Sequence, residues 1–222
     1  MKKTVLLFLS LFIMQSIQSQ DLTKLSYAEL DSLSGIAYQQ RDFPACIAYL
    51  QICRTKAAKD FGGQDSVSAA YINNLAVSYQ EMGQFPKALS LYQEAKNIKE
   101  KILGVAHEDY ALSLNNIASL YQKMGNYELA ISLYSQSKKI YEKLYGTEHP
   151  AVAQVLNNLA SLHKDMGKYE TALPIYIQAK NILEKTLGLE HPSLAGALNN
   201  LAILYQVMGN YKEALSLNNQ AK

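Results

Sequence analysis

The chain has 222 residues, 49% of them apolar and 18% charged, with a formal net charge of +2. That composition describes a globular protein rather than a disordered one. Without Lys2 and Lys3, which head a segment expected to be cleaved, 19 basic residues stand against 19 acidic ones, a neutral balance that gives no electrostatic reason to expect nucleic acid or an anionic membrane as partner.

The first twenty residues differ from the rest. Lys2 and Lys3 precede an apolar run from Val5 to Met14, broken only by Ser10, and mostly polar residues follow from Gln15 to Gln20 with Ser19 at a small-residue cleavage position. This is the anatomy of a secretory signal peptide; the run is too short to cross a bilayer, which needs roughly 20 apolar residues. Residues 1–19 are therefore expected to be removed, leaving a periplasmic or secreted chain with no membrane span in this segment. An oxidising compartment raises the question of Cys46 and Cys53. They lie seven residues apart on one predicted helix, which separates them by roughly 10 Å, beyond the ~7 Å reach of a disulfide.

Comparing the chain with itself exposes a period of 42 residues. Asn73-Asn74, Asn115-Asn116, Asn157-Asn158 and Asn199-Asn200 keep that step, as do Met82-Gly83, Met124-Gly125, Met166-Gly167 and Met208-Gly209. Each unit reads as two helices. Ile72, Leu75, Ala76 and Tyr79 fall on one helical face. Gly83 then ends the first helix, and Pro86 suits the first turn of the second. Ala88, Leu91, Tyr92, Ala95, Ile98 and Ile102 are expected to form its buried stripe, and Gly104 stops it. The long connections read Gly-Val-Ala-His at 104–107, Gly-Thr-Glu-His at 146–149 and Gly-Leu-Glu-His at 188–191. Asp65 takes the histidine's place before the second unit as a good N-cap, and the histidines are expected to cap or steady the turn. One histidine per repeat puts these side chains on separate turns, so no metal site is expected.

The resulting organisation is 1–19 signal peptide, 20–64 a degenerate first repeat, 65–106, 107–148 and 149–190 full repeats, and 191–222 a truncated fifth. In the first unit Phe43, Pro44 and Gly62 keep register, and Cys46 and Cys53 occupy the small-residue positions of Ala88 and Ala95, where a thiol acts as a small hydrophobe. Asp31-Ser32, Gln40-Arg41 and Ala37 stand where the asparagine pair, Met-Gly and the first-helix tyrosine would be.

The order small residue, Tyr, Gly, aromatic, Ala, aromatic, Ala at Ala76, Tyr79, Gly83, Phe85, Ala88, Tyr92 and Ala95 resembles the tetratricopeptide repeat family. The 42-residue length, the Asn-Asn-Leu-Ala core and the Gly-x-x-His-Pro turn are similar to the variant found in kinesin light chains and bacterial exported arrays. The resemblance covers residues 65–222. It implies an all-α fold, a right-handed superhelical solenoid of antiparallel helix pairs whose first helices line a concave groove.

Mapped onto this chain, the groove columns are Asn73, Asn115, Asn157 and Asn199; Asn74, Asn116, Asn158 and Asn200; Val77, Ser119, Ser161 and Ile203; Gln80, Gln122, Lys164 and Gln206; and Glu81, Lys123, Asp165 and Val207. The asparagines are the principal partner-binding candidates, because an amide carries donors and an acceptor and can pair with a peptide backbone without reading its sequence. Helices packed roughly 8–10 Å apart would meet a strand rising about 3.3 Å per residue at every third residue. Neighbouring helix positions point about 100° apart, so only one column faces a ligand squarely; Asn74, Asn116, Asn158 and Asn200 are preferred. Gln80, Gln122, Lys164 and Gln206 complete the candidate set.

No phosphate loop, histidine pair at metal-ligand spacing or nucleophile with a base nearby stands out. Catalytic, cofactor and metal assignments are therefore all none. The tyrosines at 79, 121, 205, 92, 134 and 176 read as packing, and His163 as a core substitution with its polar edge satisfied. The expected function is a protein–protein interaction scaffold that binds an extended protein or peptide segment in the groove. The alternative is an exported sensory or regulatory arm, the N-terminal fragment of a larger signalling or protease protein. A third reading is self-association through the truncated C-terminal repeat.

Overall fold

The structure, a computed structural model, describes residues 22–221; the expected signal peptide at 1–19 lies outside the described residues. After a short 3-10 turn at Leu22–Lys24 the chain forms ten α-helices among the described residues: α1 Tyr27–Gln39, α2 Phe43–Phe61, α3 Ser66–Glu81, α4 Phe85–Leu103, α5 Glu108–Lys123, α6 Tyr127–Tyr145, α7 Pro150–Asp165, α8 Tyr169–Leu187, α9 Pro192–Val207 and α10 Tyr211–Gln220. The first helix of each full repeat has 16 residues and the second 19. The chain divides into two compact units, one up to Leu91 and one from Tyr92 onward.

In the N-terminal unit, α1 packs on α2 and α2 on α3. Leu30, Ile47, Leu50, Cys53, Tyr71 and Leu75 form its buried core. In the C-terminal unit the helices alternate, α5 against α6, α6 against α7, and so on to α10. Ala130, Tyr134, Val152, Leu156, Leu162 and Ile182 fill the space between them. Alanine at each close approach and leucine or tyrosine opposite it let the layers interdigitate without voids. Among the described residues no helix is long and apolar enough to cross a membrane.

The helix ends show why the 42-residue register is so regular. Gly83, Gly125, Gly167 and Gly209 all take positive φ, between 71° and 81°, and the next residue donates its N–H back to the carbonyl of Tyr79, Tyr121, His163 or Tyr205 at 2.8–2.9 Å. This closes the helix with a left-handed turn that glycine enters without a Cβ clash. In the first repeat Arg41 takes the same conformation, φ 60°, and Asp42 donates to Ala37 at 2.8 Å. The geometry is kept without the glycine, and the guanidinium lies over the Phe43 ring at 5.6 Å.

At the other end of each first helix the cap is a side chain. Asp65 accepts from the N–H groups of Val67 and Ser68 at 2.8 and 2.9 Å. His107, His149 and His191 do the same job through Nδ1, accepting from Asp109, Ala151 and Ser193 at 3.1, 3.2 and 3.1 Å. Histidine is not a favoured cap, but its Nδ1 sits at the same reach from the backbone as the Asp oxygen. The His149 ring also stacks on Tyr145 at 4.3 Å. Replacing His149 by Ala is expected to cost about 1 kcal/mol, the usual value of a lost cap. His149→Asp should cost less, because a carboxylate suits the positive helix N-terminus. Urea unfolding of the two variants checks the ranking, and equal stabilities would contradict it.

Two details differ from the sequence expectation. Ile102, assigned to the buried stripe of α4, is 38% exposed. It lies in the last turn of the helix. The buried residue nearby is Lys99, 8% exposed, at the register position of Ala57, Tyr141 and Leu183. Its ammonium lies 3.9 Å from Asp109, and burial lowers its pKa against the opposing pull of that carboxylate. The second difference is His163. Its ring sits in the tyrosine column, yet Nδ1 is buried without a hydrogen-bond partner among the described residues. Tyr79 shows why: its longer side chain carries the hydroxyl out to Gln51 at 3.4 Å, whereas the shorter imidazole ends inside.

Candidate protein-binding groove

The asparagine pairs fall midway along α3, α5, α7 and α9, each followed by the buried pairs Leu75-Ala76, Ile117-Ala118, Leu159-Ala160 and Leu201-Ala202. By helical spacing the first column shares a face with buried alanines, Asn157 with Ala153 and Ala160, whereas the second column lies about 100° further round. In the N-terminal unit Asn73 is half-buried and Asn74 exposed. In the C-terminal unit Asn115, Asn116, Asn157, Asn158 and Asn200 are half-buried and Asn199 is exposed.

The two columns are not independent. Asn158 donates from Nδ2 to Oδ1 of Asn115 in the preceding repeat at 3.0 Å. This bond crosses from the second column to the first and orients both amides. It leaves a carbonyl oxygen on Asn158 and an NH₂ group on Asn115, one acceptor and one donor in adjacent repeats. Beside Asn158 on the same helix, Asn157 Oδ1 is buried without a partner among the described residues. Asn73 and Asn116 are engaged by further neighbours.

The glutamine column behaves differently. Gln80 is buried and engaged. Gln122 accepts from the Tyr134 hydroxyl at 3.2 Å and donates to Asp165 at 2.6 Å and to Ser161 at 3.5 Å. It therefore ties α5 to α6 and to α7. Lys164 lies 3.6 Å from Asp165, and Gln206 is exposed. Sequence reading placed Gln122 in the groove and Tyr134 in the core, without seeing that one bond joins them. A signal existed: positions 92, 134 and 176 are all Tyr rather than Phe, and a buried phenol needs a partner for its hydroxyl. Burial pushes the Tyr134 phenol up to about 12, so it remains a donor throughout the physiological range.

Cys46 and Cys53 are free and buried, and burial pushes Cys53 up to about 11, which suppresses the reactive thiolate.

Comparison with known proteins places this geometry. The tetratricopeptide repeat family matches residues 68–109, 109–173 and 152–222. No curated protein matches the chain. Among solved structures it is similar to BtubC (BKLC) from P. vanneervenii, at 22% identity and a TM-score of 0.70 over 87% of this chain and 77% of that one. It is also similar to a putative kinesin light chain with nearly identical TPR-like repeats from Podosopora anserina, at 27% identity and a TM-score of 0.66 over 91% and 95% of the two chains. A Rap protein complexed with competence and sporulation factor has the same fold at 16% identity, with a TM-score of 0.72 over 85% of this chain and half of that one. With the family matched over residues 68–222 and the helix pairs in register throughout, the chain belongs to the tetratricopeptide repeat family.

Proposed function

We infer that this chain is a protein–protein interaction scaffold whose first-helix face holds an extended segment of a partner. Family membership supports the coarser statement, and a Rap regulator of similar fold has been solved in complex with the Phr* peptide. The observation that carries the finer one is the Asn158–Asn115 bond. It fixes two amides and leaves an acceptor and a donor on two first helices, the pair that a peptide backbone satisfies. The partner's N–H would donate to Asn158 Oδ1 and its C=O accept from Asn115 Nδ2. With Gln80 buried and Gln122 and Lys164 both beside Asp165, side-chain reading along that column falls chiefly to the exposed Gln206.

The experiment is an array of unstructured peptides probed with the full chain and with the Asn115→Ala/Asn158→Ala variant. Peptide capture should fall about tenfold in the variant, the equivalent of one or two hydrogen bonds, while helicity is unchanged. Equal capture at equal helicity contradicts the reading. The Lys2–Gln20 segment supports export to the periplasm or outside the cell, which the N-terminal residue of the mature chain tests by mass spectrometry.

A further inference from the structure

The first two repeats each depart from the later ones at one position, and both positions line one pocket. Gly35 stands where Val77, Ser119, Ser161 and Ile203 stand in later repeats, so α1 presents no side chain there. Ser78 on α3 stands where Leu120, Leu162 and Leu204 stand, all of them fully buried. In later repeats that leucine belongs with an alanine of the preceding second helix: Ala130 and Leu162 share one core cluster, and Ala172 and Leu204 another. Here the corresponding pair is Cys46 and Ser78, with Sγ and Oγ 3.4 Å apart.

The two truncations open a pocket of about 450 Å³ on the first-helix face of the N-terminal unit. Cys46, Leu50 and Ser78 form its floor, and Gly35, Val77 and Asn74 its rim. Among the described residues no charged side chain lines it. The floor hydroxyl is already satisfied, since Ser78 donates to the Asn74 carbonyl at 3.0 Å. Asn74 itself is exposed beside the mouth. A carboxylate or ammonium entering would lose hydration with no opposite charge to offset it, whereas an aliphatic group incurs no such penalty.

We propose that this pocket is a specificity site that takes one aliphatic side chain, of leucine or methionine size, from the partner segment, with the Asn74 amide pairing to that residue's backbone. The proposal rests on the groove reading for its occupant but is tested separately from it.

The probe is N-acetyl-leucine N-methylamide, compared with N-acetyl-aspartate N-methylamide, titrated into the nitrogen-labelled full chain and followed by amide NMR. Two variants refill the pocket from opposite sides. Gly35→Leu fills the mouth: a Cβ there meets nothing within 4 Å, and losing a helix-interior glycine favours folding. Cys46→Ala with Ser78→Leu fills the floor with the pair found in later repeats. The leucine compound should shift the amides of Gly35, Val77 and Ser78, and the aspartate compound should bind about tenfold more weakly or less. Both variants should melt no lower than the parent and lose the leucine response. Equal response to the two compounds, no response at these amides, or a response surviving either folded variant would overturn the proposal. The compounds lack the extended backbone that the capture experiment reads, so failure of peptide capture leaves this result standing, and the reverse holds too.

Discussion

Truncating Tyr134 to alanine is expected to destabilise the unit from Tyr92 onward by about 3–5 kcal/mol. The ring is 1% exposed and lies in the cluster with Ala111, Val155 and Leu159, so alanine leaves a cavity that the close-packed helices cannot collapse into. Its hydroxyl adds a second loss, because Gln122 Oε1 would lose its donor. Tyr134→Phe separates the two. It keeps the ring, removes one hydrogen bond, and should cost about 1 kcal/mol. Because Gln122 also reaches Asp165 at 2.6 Å, a double-mutant cycle between Tyr134→Phe and Asp165→Ala should show coupling through the glutamine. Urea unfolding followed by circular dichroism measures all of these. A Tyr134→Ala loss below about 1 kcal/mol would show that the ring is not the packing element described.

The second large effect comes from restoring the repeat's own residue at His163. Among the described residues its Nδ1 is buried without a partner, and an unsatisfied buried polar group costs about 1–3 kcal/mol. His163→Tyr should recover much of this and raise the unfolding midpoint, since Tyr79, Tyr121 and Tyr205 already occupy the column. The histidine also makes stability depend on pH. Burial first, and then the positive Lys168, lower its pKa below the usual imidazole value of 6.5. The folded state therefore holds the ring neutral at pH values where the unfolded chain has begun to protonate it. Its contribution is complete above the unfolded value and is lost as the pH falls from there through the lower folded value. The tyrosine variant should be more stable than the parent at every pH, with the gap widening as the solution is acidified. A gap that stays constant below neutrality would contradict the assignment.

The sequence alone carried the helix pairs, because their causes are local. A glycine for the left-handed turn, a cap residue, a proline in the first turn and apolar residues at helical spacing recur every 42 residues, and each acts within a few residues of itself. Even the degenerate repeat could be aligned, although Arg41 entering the glycine's conformation could not be foreseen. Histidine as a cap was foreseen only loosely, since its use depends on how close Nδ1 comes to the backbone.

What needed the tertiary structure were relations between side chains on different helices. Asn115 and Asn158 are 43 residues apart, and their bond depends on how α7 settles against α5. Gln122 bonds to Tyr134, Ser161 and Asp165 across helices, and Lys99 is buried while Ile102 is exposed. The pocket beside Asn74 is likewise the joint product of Gly35 and Ser78 on two helices, each unremarkable in its own. The sequence by itself determined the repeat, because a period is written into every unit by local chemistry. Only the packed structure decided which amides are spent holding repeats together and which remain open to a partner, because that division is made by distances between helices.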